Sequence, residues 1–212
     1  MIVKRSDKRD SQRGSENLWL NAAYQTLLES GVDAVRVMSL AKTLSLSRTS
    51  FYWHFEDRDA LLAALVKCWQ DKNTGNLVSQ TRLYAETITE AVFNLFDCCL
   101  NSELFDAKLD FAIRNWASQS EQLKTVVDRM DLERINAIQS MFKRLEFDDA
   151  EAETRAFTIY YTQVGYIALM VDEPIADRVK KMPAYIEIYT GSYPSEHEIK
   201  RFNSRHLGNF KQ

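Results

Sequence analysis

Residues 38–55 read MSLAKTLSLSRTSFYWHF, from Met38 to Phe55. Val37 just before the stretch, with Leu40, Ala41 and Leu44, recurs at helical spacing, and Leu46 carries the apolar face through a polar connection. Phe51 and Phe55 then supply the inward side of a second helix, and between them stand Tyr52, Trp53 and His54, a trio that a small buried helix has no reason to display. Two short helices joined by a tight turn, the second bearing flat and hydrogen-bonding side chains outward, are what a helix-turn-helix needs to meet base edges and phosphates in a major groove.

Outward from this stretch the composition points to an all-helical chain. The 212 residues include 45% hydrophobic and 27% charged residues, enough for one large or two small globular units. The three prolines are Pro174, Pro183 and Pro194, so nothing before residue 174 forces a helix to break. The net charge of -3 is unevenly spread: residues 1–72 hold 11 Lys+Arg against 9 Asp+Glu, which leaves 16 against 21 for the remainder. A weakly basic N-terminal third on an acidic body suits local contact with DNA and disfavours non-specific coating of it.

Residues 1–15 carry Lys4, Arg5, Lys8, Arg9 and Arg13 and read as a mobile basic arm, open to two roles, phosphate contact or simple solvation. A first helix follows from Ser15 or Glu16, with Leu18, Trp19, Ala22, Ala23 and Leu27 inward, and stops at Ser30-Gly31. Ser39 is expected to cap the next helix or to reach a phosphate, and Asp57 to cap a helix running to about Lys72. Asn73-Thr74-Gly75-Asn76 is expected to close the first unit, giving a domain at 16–75 and a helical body at 76–212.

In the body the spacing predicts helices near 80–100, 105–118, 121–145 and 148–171, with shorter ones near 175–189 and 195–206. The two longest carry extended apolar faces and form an antiparallel hairpin; they either associate with a second copy as a four-helix bundle or pack wholly within one chain. The cluster Asp148, Asp149, Glu151 and Glu153 reads as acids at a helix N-terminus. Cys68, Cys98 and Cys99 have neither metal-ligand spacing nor a disulfide framework, as expected of a reducing cytoplasm, with the redox role of Cys98 and Cys99 left open. No signal peptide is legible, no apolar run approaches the ~20 residues that span a bilayer, and no cofactor motif is present. His54, His197 and His206 are dispersed, and no Gly-rich phosphate loop accompanies them. These absences disfavour an enzyme, while the acidic body disfavours a non-specific architectural DNA binder; both stay as alternatives.

The run Leu40-Ala41, Leu46-Ser47, Ser50-Phe51-Tyr52-Trp53-His54-Phe55, Arg58 and Leu61-Leu62 resembles the DNA-binding domain of the TetR family of bacterial transcriptional regulators. The resemblance covers the first 70 or so residues; beyond Gly75 it is one of architecture only. It implies an all-α protein with a three-helix DNA-binding domain and a larger body that binds a small-molecule effector and dimerises, acting as a repressor on a palindromic double-stranded operator. It places Arg48, Thr49, Tyr52 and Trp53 toward base edges, and Ser39, Ser50, Tyr52, His54 and Arg58 within reach of phosphates. The chemistry agrees: Arg48 can offer a fork to guanine, and Thr49 and Trp53 can meet a thymine methyl. His54 has a capping role as its alternative. Arg58 falls in a first helical turn, where the dipole disfavours a cation unless a phosphate is near. Ser45 stands where the family usually has a turn glycine, and Met38 where many members have a polar or basic residue. For an effector pocket the candidates are Phe96, Cys99, Phe111, Arg114, Asn115, Trp116, Tyr160, Gln163 and Tyr166, a mostly aromatic set with a few polar groups.

Overall fold

The computed structural model describes residues 15–208, and these are helical with no strand among them. Helix α1 spans Glu16–Ser30; the Ser15 side chain caps it by accepting from the Leu18 N–H, and Gly31 at φ 78° ends it, a conformation that costs a residue without Cβ little. After a 3₁₀ turn at Val32–Ala34 come α2, Val37–Leu44, and α3, Arg48–Phe51. Ser45 between them has φ 55° and ψ 35°, so the turn uses the left-handed geometry that glycine usually supplies. Ser47 caps α3 through the Ser50 N–H at 3.1 Å. Helix α2 begins two residues before Ser39 and its cap position, Arg36, makes no side-chain cap, so Ser39 does not cap it as the sequence reading expected. Trp19 meets Phe51 edge-on at 5.2 Å, and Phe51 stacks on Phe55 at 5.5 Å, which fixes α3 against α1.

Asp57 caps α4, Arg58–Trp69, as expected, through the Ala60 N–H at 2.8 Å. The chain does not break at Asn73. A π-helical segment at Gln70–Gly75 leads straight into α5, Asn76–Thr81, so one rod crosses the expected domain boundary. The reason lies in spacing. Leu61, Leu65, Trp69, Asn73, Leu77 and Thr81 are all buried at steps of four. An α-helix turns ~100° per residue, so such a stripe drifts ~40° per step and would wind off the core over this length. The wider i→i+5 turn rotates less per residue and returns the stripe to one side.

The body continues with α6, Ile88–Leu100; α7, Ala107–Ala117; α8, Glu121–Arg144; α9, Asp149–Ala168; α10, Ile175–Thr190; and α11, Glu196–Leu207. The predicted helix near 80–100 is divided, because Thr87 caps α6 by accepting from the Glu90 N–H at 3.1 Å. Asp148 caps α9 at 2.8 Å, which accounts for the first of the four acids grouped there. Helices α8 and α9 pair across the short connection 145–148. Their apolar sides meet α6, α10 and α11 in a core that includes Phe93, Phe96, Phe142, Ile159, Ile186 and Phe202. A second core joins Trp19, Leu40, Phe51, Leu61, Leu65 and Trp69 of the N-terminal unit to Leu109, Ile113, Leu123, Val127 and Met130 of α7 and α8.

Helix α8 spends its apolar stripe inside the chain and exposes charged residues such as Lys124, Asp128, Arg129 and Glu133. The exposed large apolar side chains of the body include Leu132 on α8 and Tyr84 ahead of α6, and several more lie on α9, on the segment after it and on α10: Tyr161, Leu169, Met170, Ile175, Tyr185 and Ile188. The exposed apolar surface thus reaches beyond the pair 121–145 and 148–171 of the sequence reading, onto α10. No helix of the described residues is long and apolar enough to cross a membrane.

Candidate DNA interface and ligand cavity

The second helix of the helix-turn-helix and the turn that follows it present Arg48, Thr49, Tyr52 and Trp53 outward, all exposed, with Trp53 64% accessible. Met38 and Ser39 at the start of α2 are exposed beside them, Met38 also at 64%. Arg48 donates from Nη2 to Tyr52 Oη at 3.0 Å, and its guanidinium lies 5.5 Å from the ring centroid, so the two side chains form one preset surface.

Two residues placed near phosphates by resemblance sit differently. Ser50 is 3% exposed, wedged beside Phe51 in the wall of the core, because a four-residue helix must spend one side on packing. Arg58 is half-buried and donates from Nε to the Val35 carbonyl at 2.6 Å and from Nη2 to the Val32 carbonyl at 2.7 Å. Those carbonyls give the cation in the first turn of α4 two partners within the protein. His54 is half-buried, its N–H donating to the Phe51 carbonyl at 2.9 Å.

The body holds a cavity of about 620 Å³ between α6, α7, α8 and α9, with the start of α10 at its edge. Six of the nine predicted residues line it: Phe96, Cys99, Phe111, Tyr160, Gln163 and Tyr166. Asn115 is exposed, and Trp116 packs against the N-terminal core, because both fall on the far side of α7. Arg114 stands behind the wall, donating from Nε to Asp110 Oδ2 at 2.8 Å, from Nη2 to Asp131 Oδ1 at 2.7 Å and to Tyr160 Oη at 3.0 Å.

The sequence reading missed Asp110, Arg134 and Arg178 in that wall. A signal for Arg134 was present: it interrupts the apolar stripe Val127, Met130, Ile138 and Met141 of α8, where a charge needs a buried partner. Asp110 is that partner at 3.0 Å, and it also accepts from Trp69 Nε1 at 2.8 Å and from Asn73 Nδ2 at 3.3 Å. Burial alone would raise the Asp110 carboxyl, but Arg134 and Arg114 outweigh it and hold it below the ordinary carboxylate range. Burial pushes the Tyr160 phenol up despite the same two arginines, so it stays a neutral donor, to Asp131 at 2.6 Å. Burial likewise pushes the Cys99 thiol up to about 12 and raises Cys98, which leaves both as uncharged wall residues at neutral pH.

A helix-turn-helix with an aromatic outer face, set on a helical body with a cavity, defines a DNA-binding regulator of transcription. Residues 20–65 match the family model described as bacterial regulatory proteins, tetR family, so this segment is similar to the DNA-binding domain of that family. A transcriptional regulator from Rhodococcus sp. Rha1 superposes with a TM-score of 0.55 at 19% identity, over 92% of this chain and 97% of that one. A TetR-family regulator from another Rhodococcus gives 0.59 at 15% identity, over 82% and 97%. A TetR regulator from Agrobacterium tumefaciens gives 0.51 at 21% identity, over 92% and 98%. No curated protein matches the chain in sequence.

Proposed function

We propose that the protein is a ligand-responsive repressor that binds a palindromic operator as a homodimer and leaves it when a small molecule fills the cavity. The observation that carries this reading is the shared carboxylate of Asp110, a cavity wall residue that also holds Trp69 and Asn73 on the rod leading from the helix-turn-helix. A ligand that shifts α7 must move or strain that rod, and so the populations of head arrangements. The cavity has a binding role, not a catalytic one. Base edges are read by Arg48, Thr49, Tyr52 and Trp53, with Ser39 and His54 at the phosphates, and two heads meet half-sites one helical turn (~34 Å) apart.

The exposed apolar face of α9 and α10 supports dimerisation there, since a cluster of that kind on a monomer marks an interaction site. The site of action is the cytoplasm, where the DNA is and where three free cysteines stay reduced. A gel shift against the DNA flanking the coding sequence, at moderate salt, tests the reading together with the solution mass. A retarded band from a dimer is expected; folded protein that retards no such fragment overturns it.

A further inference from the structure

The Arg134 guanidinium is 1% exposed and sandwiched between the Trp69 and Phe105 rings, at 5.0 and 5.4 Å from their centroids. Its Nε donates to Thr74 Oγ1 at 2.9 Å, and Nη1 donates to Asp110 Oδ1 at 3.0 Å and approaches Tyr160 Oη at 3.4 Å. Nη2 is buried and meets no acceptor among the described residues. Guanidinium donors have a fixed fork geometry, so anchoring Nε and Nη1 also fixes where the Nη2 hydrogens point. A buried charged donor left without a partner is costly, and a cavity wall is the place where a ligand can relieve that cost. Arg134 and Phe105 are both wall residues of the cavity, among side chains that are otherwise mostly apolar, including Phe96, Phe111, Ile138 and Ile159.

The charge of the surroundings narrows the acceptor. Arg134 and Arg114 are already matched by Asp110 and Asp131, at 3.0, 2.8 and 2.7 Å. Arg178, the other guanidinium of the wall, lies over the Tyr166 ring at 4.7 Å on the α10 side and makes no hydrogen bond to this cluster. A carboxylate brought to Nη2 would therefore leave the cluster with one negative charge that none of its own members compensates, close to Asp110. An uncharged acceptor leaves it neutral.

Resting on the reading of this cavity as the effector site, we infer that the effector is an apolar, uncharged molecule carrying a carbonyl-type acceptor, which receives a hydrogen bond from Arg134 Nη2. Capture of that group sets the ligand against the same guanidinium that grips Thr74 on the rod. Arg134 is thus both the specificity residue for the ligand and the point where its presence is felt.

Three matched probes test this: 2-acetylnaphthalene, 2-ethylnaphthalene and 2-naphthoate, titrated calorimetrically into the full chain. The ketone is expected to bind ten- to a hundredfold tighter than the hydrocarbon. Arg134→Met is expected to erase that preference. Because this variant can lose stability, the wild-type protein is also read directly: the carbonyl stretch of ¹³C-labelled ketone should move to lower frequency on binding. Equal affinity for ketone and hydrocarbon, tightest binding by the carboxylate, an unshifted stretch, or no binding of any probe overturns the inference. A gel shift run alongside separates the two proposals: operator binding that persists with none of the probes bound sinks the ligand class and leaves the regulator standing, whereas absence of DNA binding with the ketone bound does the reverse.

Discussion

Trp69 on α4 donates its indole Nε1 to Asp110 Oδ1 on α7 at 2.8 Å, inside the protein. One carboxylate thereby serves the rod of the DNA-binding unit and, through Arg134 and Arg114, the wall of the cavity. Asp110→Ala strands the buried Arg134 guanidinium and two neutral donors and leaves Arg114 with Asp131 as its one carboxylate, so we expect it to cost ~3–5 kcal/mol in denaturant unfolding. Trp69→Phe removes one hydrogen bond and the five-membered ring of a buried indole, and should cost ~1–3 kcal/mol. Similar losses for the two variants would show that Asp110 is not the hub of the cluster.

Arg58 clamps α4 to the 3₁₀ turn through the carbonyls of Val32 and Val35. Arg58→Ala should destabilise the chain by roughly 1–3 kcal/mol and weaken binding to all DNA sequences alike. If its charge is spent on those carbonyls, the salt dependence of DNA binding should stay that of wild type. A slope lower by about one would instead mark a phosphate contact.

Trp53 and Arg48 are exposed at the protein surface. Trp53→Ala and Arg48→Ala should therefore leave the unfolding free energy within ~0.5 kcal/mol of wild type. Both should weaken binding to the operator, and Arg48→Ala should in addition relax the preference at one base pair by ~1–3 kcal/mol. Gel shifts on single-base operator variants measure this, and unchanged base preference in Arg48→Ala would remove that residue from the reading surface.

Glu198 pins α11 to the start of α6. Burial alone would raise its carboxyl, but hydrogen bonds from Thr87, from the Ser195 side chain and backbone, and from Thr89 outweigh it and bring it from 4.5 to about 2. A carboxyl lowered in the folded state stabilises fully above its unfolded value and loses that contribution as the pH falls toward the folded one. Stability on the order of 2 kcal/mol should disappear between about pH 4.5 and pH 2. Glu198→Gln should be less stable at neutral pH and show a flatter acid profile over that window in urea titrations.

Local pattern carried most of the secondary structure: Ser15, Asp57 and the acids from Asp148 announce their helices, and the expected spans of α7 to α11 agree with the observed ones to within a few residues. The continuous rod was illegible because a Gly-containing polar run is an ordinary break signal, and only partners distant in sequence, Asp106 and Asp110 for Asn73, make it helical. The same holds for the cavity. Aromatic candidates fell in the right region by helical phase, yet the Arg134 and Asp110 pair depends on α7 and α8 crossing at one level, which no periodicity encodes. That exposed apolar surface continues onto α10 was not legible, because length and amphipathicity do not say which face a further helix covers.

The rod from Arg58 to Thr81 has a further consequence for how such a protein can be rebuilt. Its first half completes one core and its second half the other, and the first core also draws Leu109, Ile113, Leu123 and Val127 from the far side of the boundary. The DNA-reading portion is not an interchangeable part. A chimera joined at residue 75 would cut the rod and strip away one wall of the donor's core, whereas a graft that carries the facing patch of α7 and α8 keeps that core whole.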